Sequence, residues 1–182
     1  MHQERVGEGG NPLEELRYFR ETSSDVVGTR INDKWERSSL SLAYDNILPH
    51  GQFIFPREWG REFLFSFQKR ERSEGSADNH ALVAYYNTVI PIEGLQTEMR
   101  SILSVGHHWK PSVLNARLNK YAVPDYTQVN LDLFFNFKKW KNLQPELLMV
   151  GKFASGDFPN NPNFYFNKTD LFHIDLILNY NF

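Results

Sequence analysis

From residue 38 onward one theme repeats. Apolar and polar residues alternate in short runs, and turn-forming residues separate the runs. Successive side chains of a strand point to opposite faces, so the alternation predicts strands with one apolar and one polar face. Residues 38–44 set Leu40, Leu42 and Tyr44 against Ser39, Ser41 and Ala43. Phe63, Phe65 and Phe67 share a face opposite Ser66 and Gln68, which predicts a further strand. Residues 80–87 form another run, ending in Tyr85 and Tyr86. In residues 95–105, Met99, Leu103 and Val105 oppose Glu98, Arg100 and Ser104. Residues 126–137 alternate more cleanly: Val129, Leu131, Leu133, Phe135 and Phe137 face away from Gln128, Asn130, Asp132 and Asn136. Residues 146–154 follow, with Leu147, Met149 and Phe153 opposite Glu146 and Lys152. The last run, 171–182, is the strongest. Phe172, Ile174, Leu176, Leu178, Tyr180 and Phe182 form an unbroken apolar face, with His173, Asp175, Asn179 and Asn181 opposite.

The connectors sort by length. Residues 87–94 and 138–145 are short, whereas 69–79, 106–125 and 155–170 are longer and polar. Outer-membrane barrels have short periplasmic turns and long outer loops. Residues 45–60 break the alternation, and a short strand is expected at 52–55. His107–His108 reads as part of a polar loop, because adjacent strand residues face opposite ways and chelate poorly. Aromatics sit where an interfacial girdle needs them. Tyr180 and Phe182 close the last strand, Phe137 and Trp140 flank one short turn, and Tyr85 and Tyr86 precede the other.

Composition narrows this picture. The 182 residues suffice for one domain, read as a polar N-terminal segment (1–37) and a β-barrel portion (38–182). A net charge of -2 gives no reason to expect nucleic acid as a partner. Aromatics are 15% of the chain, yet mean hydropathy is -0.52, which fits apolar residues interleaved with polar ones. No run of apolar residues is long enough for a transmembrane helix, but barrel strands leave no such run. There are no cysteines, hence no disulfide framework and no thiolate site. The first residues, MHQERVGEGGNP, lack the apolar stretch of the export signal that an outer-membrane protein needs, so either the barrel reading is wrong or the chain lacks its natural start.

Candidate chemistry is sparse. No nucleophile stands near a base in a known spacing, and no phosphate-binding loop or zinc-protease motif occurs, so no catalytic residue, metal or cofactor is assigned. His173 and Asp175 share a strand face and read as a hydrogen-bonded pair facing a lumen. Arg57, Glu58 and Arg61 lie in a short, charge-dense run that also holds Trp59. They are candidates for a charged constriction. The lumen-facing candidates are Glu98, Arg100, Gln128, Asn130, Asp132, Lys152, His173, Asp175 and Asn179. Leu176, Leu178, Tyr180 and Phe182 match the terminal pattern that the barrel-assembly machinery recognises.

The run from Gly51 to Glu62, GQFIFPREWGRE, resembles a signature stretch of the OprD-type outer-membrane porins, in particular a Bacteroidetes-like branch. Arg70-Glu71-Arg72-Ser73-Glu74-Gly75, then Leu118-Asn119-Lys120-Tyr121 with Pro124, continue the resemblance in order. So do Asn167-Lys168 and the closing Leu178-Asn179-Tyr180-Asn181-Phe182. The resemblance covers residues 38–182. It implies a larger antiparallel barrel, of which this chain supplies about seven or eight strands. It also implies passive, selective uptake of small solutes such as amino acids or other small carboxylates, with Arg57 and Arg61 guiding carboxylate groups.

The reading is therefore an all-β, antiparallel up-and-down transmembrane barrel portion in a bacterial outer membrane, with lipid, the assembly machinery and small solutes as partners. It is not read as an enzyme, and a homo-oligomer is left open. A small barrel anchor or adhesin without conduction stays open, as does a soluble β-barrel or sandwich that binds a ligand.

Overall fold

The computed structural model describes residues 1–3, 23–54, 64–71, 73, 75–156 and 169–181. Among these, one eight-stranded sheet forms an antiparallel meander in which every strand pairs with its sequence neighbours. The strands are β1 (His2–Gln3), β2 (Ser24–Lys34), β3 (Ser38–Ile47), β4 (Asn79–Ile92), β5 (Thr97–Trp109), β6 (Asp125–Phe137), β7 (Leu143–Ser155) and β8 (Leu171–Tyr180). The described residues hold no α-helix; a single 3-10 turn, Glu93–Leu95, links β4 to β5.

The alternation fixes the faces. Cross-strand partners lie on the same side of a sheet, so register can be followed from strand to strand. One rung runs Leu40, Tyr86, Leu103, Leu131, Met149, Ile174, from β3 through β8. No polar residue interrupts it. This face is also open: Leu40, Tyr86, Leu103, Leu176 and Leu178 are among its exposed side chains, with Leu176 at 72%. The opposite face carries Ser41, Asp45, Ser104, Gln128, Asn130, Asp132, Glu146 and Lys152, all buried. A water-soluble sheet arranges its faces the other way round.

The turns sort cleanly. Residues 35–37, 93–96 and 138–142 make tight connections at one end, and 48–78, 110–124 and 156–170 make long ones at the other. β2 lies within the N-terminal segment 1–37 and pairs with β3 from Val26↔Ile47 to Lys34↔Ser39. The sheet does not close. β8 pairs only with β7, and β1 covers only Ser24 and Asp25 of β2.

Three expectations fail. The Phe63–Phe67 run is no strand over its described part. Residues 64–71 turn instead, with Phe67 N–H donating to the Leu64 carbonyl at 3.2 Å and Glu71 N–H to that of Gln68 at 3.0 Å. Leu64, Ser66 and Gln68 are buried there while Phe65 is exposed. Residues 52–54 also form no strand. His107 and His108 belong to β5 rather than to a loop, on opposite faces. His108 is buried and stacks on Tyr126 with ring centroids 4.6 Å apart, whereas His107 meets the Trp109 edge at 4.5 Å.

Candidate functional site: a polar face crossed by a folded-in segment

The segment 64–71 lies across the polar face and is tied to the strands in order. On β3, Asp45 Oδ2 accepts from the Ser66 N–H at 2.6 Å. On β4, the Tyr85 hydroxyl is shared between the Phe65 and Phe67 carbonyls at 3.1 and 2.8 Å. On β5, Ser104 Oγ accepts from Gln68 Nε2 at 2.9 Å, and His108 Nε2 stands 3.2 Å from Gln68 Oε1. On β6, Gln128 and Asn130 both donate side-chain N–H groups to the Lys69 carbonyl, at 2.7 and 2.8 Å. Lys69 Nζ then bridges Asp132 of β6 (2.9 Å) and Glu146 of β7 (2.5 Å). Finally the Arg70 guanidinium pairs with Asp175 of β8.

The spacing explains which residues were needed. Neighbouring strands lie about 4.8 Å apart, so β3 to β8 spans roughly 24 Å. Five extended residues reach only about 17 Å. The long side chains of Lys69 and Arg70 supply the remaining reach at the β7 and β8 end. At Gly106 the sheet makes room. A Cβ there would lie 2.6 Å from Gln68 Oε1 and 2.6 Å from Val83 Cγ2. Gly28 does the same beside Asp45, where a Cβ would lie 2.1 Å from Oδ1.

Electrostatics hold the centre. Asp132 and Glu146 side chains are 9% and 8% exposed, and one ammonium serves both. Lys69 Nζ also stands 4.8 Å from the Phe134 ring centre, and the Arg100 guanidinium stands 4.4 Å from it. Buried carboxylates without a cation would cost several kcal/mol each. Lys152 sits 4.3 Å from the Tyr126 ring centre. Tyr126 in turn donates to Glu71 Oε1 at 3.1 Å.

A cavity of about 260 Å³ opens beside the segment, lined in part by Arg30, Ser41, Tyr85, Asn87, Asn130 and Asp132. Arg30 donates to Asn32 Oδ1 at 2.9 Å and to Ser41 Oγ at 3.0 Å, and lies 5.4 Å from the Tyr85 ring centre. Asp132 Oδ1 and Asn87 Oδ1 are buried acceptors with no donor among the described residues. The cavity therefore offers a guanidinium and hydroxyls to a small polar molecule.

All nine lumen candidates fall on this face. Gln128 pairs with Lys152, and Asp132 shares a rung with Leu148 and Asp175. His173 Nε2 lies 2.8 Å from Asp175 Oδ1. Glu98, Arg100 and Asn179 lie towards the short-turn end, exposed, where Asn179 donates to the Gln144 carbonyl at 3.3 Å. Leu176, Leu178 and Tyr180 are exposed on the opposite face. Arg57, Glu58, Arg61 and Phe182 lie outside the described residues. Sequence reasoning missed Gln68, Lys69 and Arg70 as the crossing segment. Its one signal was the dense charge of Lys69-Arg70-Glu71-Arg72 directly after the Phe run.

The long loops are tied to one another at their end of the sheet. Gln52 donates to the Arg117 carbonyl at 2.8 Å, Ala77 N–H to that of Leu118 at 2.7 Å, and Lys120 N–H to that of Gly75 at 2.9 Å. Asn119 holds its own loop by donating to the Pro111 and Val123 carbonyls at 2.9 and 2.8 Å. The described residues contain no cluster of three metal-ligating side chains. Comparison with protein-family models, curated proteins and solved structures finds no match.

Proposed function

We propose that this chain is the closing portion of an OprD-type outer-membrane porin that lets small polar solutes, such as amino acids or other small carboxylates, diffuse passively and selectively. One observation carries the reading. The exposed face is apolar across β3 to β8, while the opposite face buries Asp132 and Glu146 under a folded-in segment whose Lys69 bridges them. Exposed apolar surface on this scale marks an interaction site, and the lipid-facing band of a transmembrane barrel is apolar in this way, with polar residues inside. The tight turns at one end and long loops at the other match such a barrel. Lipid does not tolerate unpaired backbone at a strand edge. The open edges of β2 and β8 thus call for further strands, so the chain contributes to a larger barrel.

The face has the chemistry of a selective path. Arg30 and Arg100 present guanidinium groups to carboxylates, and the serines and amides beside Arg30 replace part of a solute's hydration. Arg57 and Arg61 add to this in the same reading. One feature favours a second reading. The segment 64–71 reaches from β3 to β8, which would fill a small barrel and leave an anchor without conduction.

Planar-bilayer recording on the chain in its complete reading frame decides. The porin reading expects stepwise conductance, with anion preference reduced by Arg30→Gln and by the pair Arg57→Ala and Arg61→Ala. Insertion without conductance supports the anchor. A chain that stays in water, binds no detergent and enters no bilayer overturns both.

A further inference from the structure

The β6–β7 turn concentrates positive charge in a chain whose net charge is -2. Lys138, Lys139 and Lys141 are all exposed, as is Trp140 between them. None of the three ammonium groups has a carboxylate within 4.0 Å among the described residues, although Glu98 lines a shallow groove with Lys138 and Lys141. The turn is held in place: Lys138 N–H donates to the Gln96 carbonyl at 3.1 Å and Leu143 N–H to that of Trp140 at 3.0 Å. Asn181 N–H ties the end of β8 to the Asn142 carbonyl at 2.9 Å.

An open groove of about 610 Å³ lies at this turn, lined by Lys139, Lys141, Trp140, Leu143 and Tyr180. Leu143 and Tyr180 are cross-strand partners, so the groove runs onto the exposed apolar face. Trp140 also packs near Phe137, with ring centroids 5.6 Å apart. Cations, aromatic walls and an apolar continuation form the outline of one molecule. It has an anionic headgroup, an interfacial glycerol region and an acyl chain.

We infer that the 138–142 turn binds the phosphate headgroup of an anionic phospholipid in the leaflet facing the short turns, with Lys139 and Lys141 on the phosphate and the acyl chain along Tyr180. This rests on the membrane reading above. Aromatic side chains settle at the headgroup level of a bilayer, and lysine stems lie along apolar surface while the ammonium stays wet. Each lysine near an anionic surface is worth about a fivefold gain in binding, so three set a ceiling of roughly 100-fold.

The test uses Trp140 as its own reporter. Trp35, Trp59, Trp109 and any tryptophan encoded elsewhere in the frame are changed to Phe, and the chain in its complete reading frame is inserted into vesicles of phosphatidylcholine with about 30% phosphatidylglycerol, a fraction that gives a substantial surface potential. Brominated phosphatidylglycerol is expected to quench Trp140 several-fold more per lipid than brominated phosphatidylcholine. That excess should vanish in Lys138→Gln, Lys139→Gln, Lys141→Gln, and at about 1 M salt, where the Debye length is roughly 3 Å. Equal quenching by both lipids in the unmodified turn overturns the headgroup site and leaves the membrane reading standing. Quenching by neither lipid means that the chain has not inserted, and both are lost. Because the lysines are exposed and unpaired, their replacement by Gln leaves the fold as an internal control, read by unchanged quenching from phosphatidylcholine.

Discussion

Arg70 and Asp175 stand 105 residues apart in sequence, yet the guanidinium of one donates two hydrogen bonds to a single carboxylate oxygen of the other. This pair fastens the last tether of the folded-in segment to β8. Arg70 has φ +67, a left-handed backbone that turns its side chain off the path of the segment. Its side chain is half exposed, so the pair is screened by solvent and contributes little to global stability. Its effect is on position. Arg70→Ala is expected to leave the unfolding midpoint close to unchanged while loosening residues 69–71. Limited proteolysis of the folded protein should then cut that segment faster. A cleavage rate equal to that of the unmodified protein would show that the pair positions nothing.

Lys69 is a different case. Its ammonium is all that separates two nearly buried carboxylates, Asp132 and Glu146. Breaking a buried ion network by removing one partner costs about 3–5 kcal/mol, because the charges left behind stay buried and uncompensated. Lys69→Met should therefore lower stability by about that amount, measured by denaturant titration in micelles. Adding Asp132→Asn and Glu146→Gln should recover most of the loss, since amides carry no charge to bury. A triple variant as unstable as the single one would place the cost in lost packing over Phe134 instead.

These tethers also show what could be read from sequence. β3, β6, β7 and β8 were legible because apolar residues recur at every second position over most of each, although Phe134, Leu148, Val150 and Ile177 stand at polar-face positions. The polar face followed from the same period: Gln128, Asn130, Asp132, Lys152, His173 and Asp175 were placed together by parity alone. β2 was not legible. Its outward residues mix Val27 and Ile31 with Asp25, Thr29 and Asp33, so the pattern is blurred. The segment 64–71 was misread for a physical reason. Alternating Phe residues look like a strand locally, but its peptide groups are taken by side chains of Tyr85, Gln128 and Asn130, far along the chain. No local period records such partners. His108 was missed likewise: its polarity suggested a loop, whereas Tyr126 and Gln68 give it a buried place on β5.

Two glycines test the close approach of segment and sheet. At Gly106 an added Cβ meets Gln68 Oε1 and Val83 Cγ2, both at 2.6 Å, whereas at Gly94 nothing lies within 4 Å. Overpacking of this kind costs about 1–3 kcal/mol. Gly106→Ala is expected to fall in that range and to displace Gln68 from Ser104 and His108. Gly94→Ala should be neutral. Denaturation midpoints of the two variants give the comparison, and equal midpoints would remove the argument that Gly106 makes room for the segment.

The apolar face offers the sharpest division between a membrane barrel and a water-soluble sheet. Leu176 is 72% exposed on β8 and pairs with Leu147 across the strand boundary. In water, replacing so open a residue by Arg should change stability by no more than about 0.5 kcal/mol, the usual range for surface positions. In a bilayer the same change moves a guanidinium into hydrocarbon, at about 2–4 kcal/mol near the midplane. On the polar face, Asn179→Arg is the matched control: it adds the same charge to the same strand, on the side that the barrel reading gives to water. The expectation is that Leu176→Arg lowers folding yield and stability in vesicles while Asn179→Arg does not. Two neutral substitutions would remove lipid from the outside of this sheet, and with it the porin.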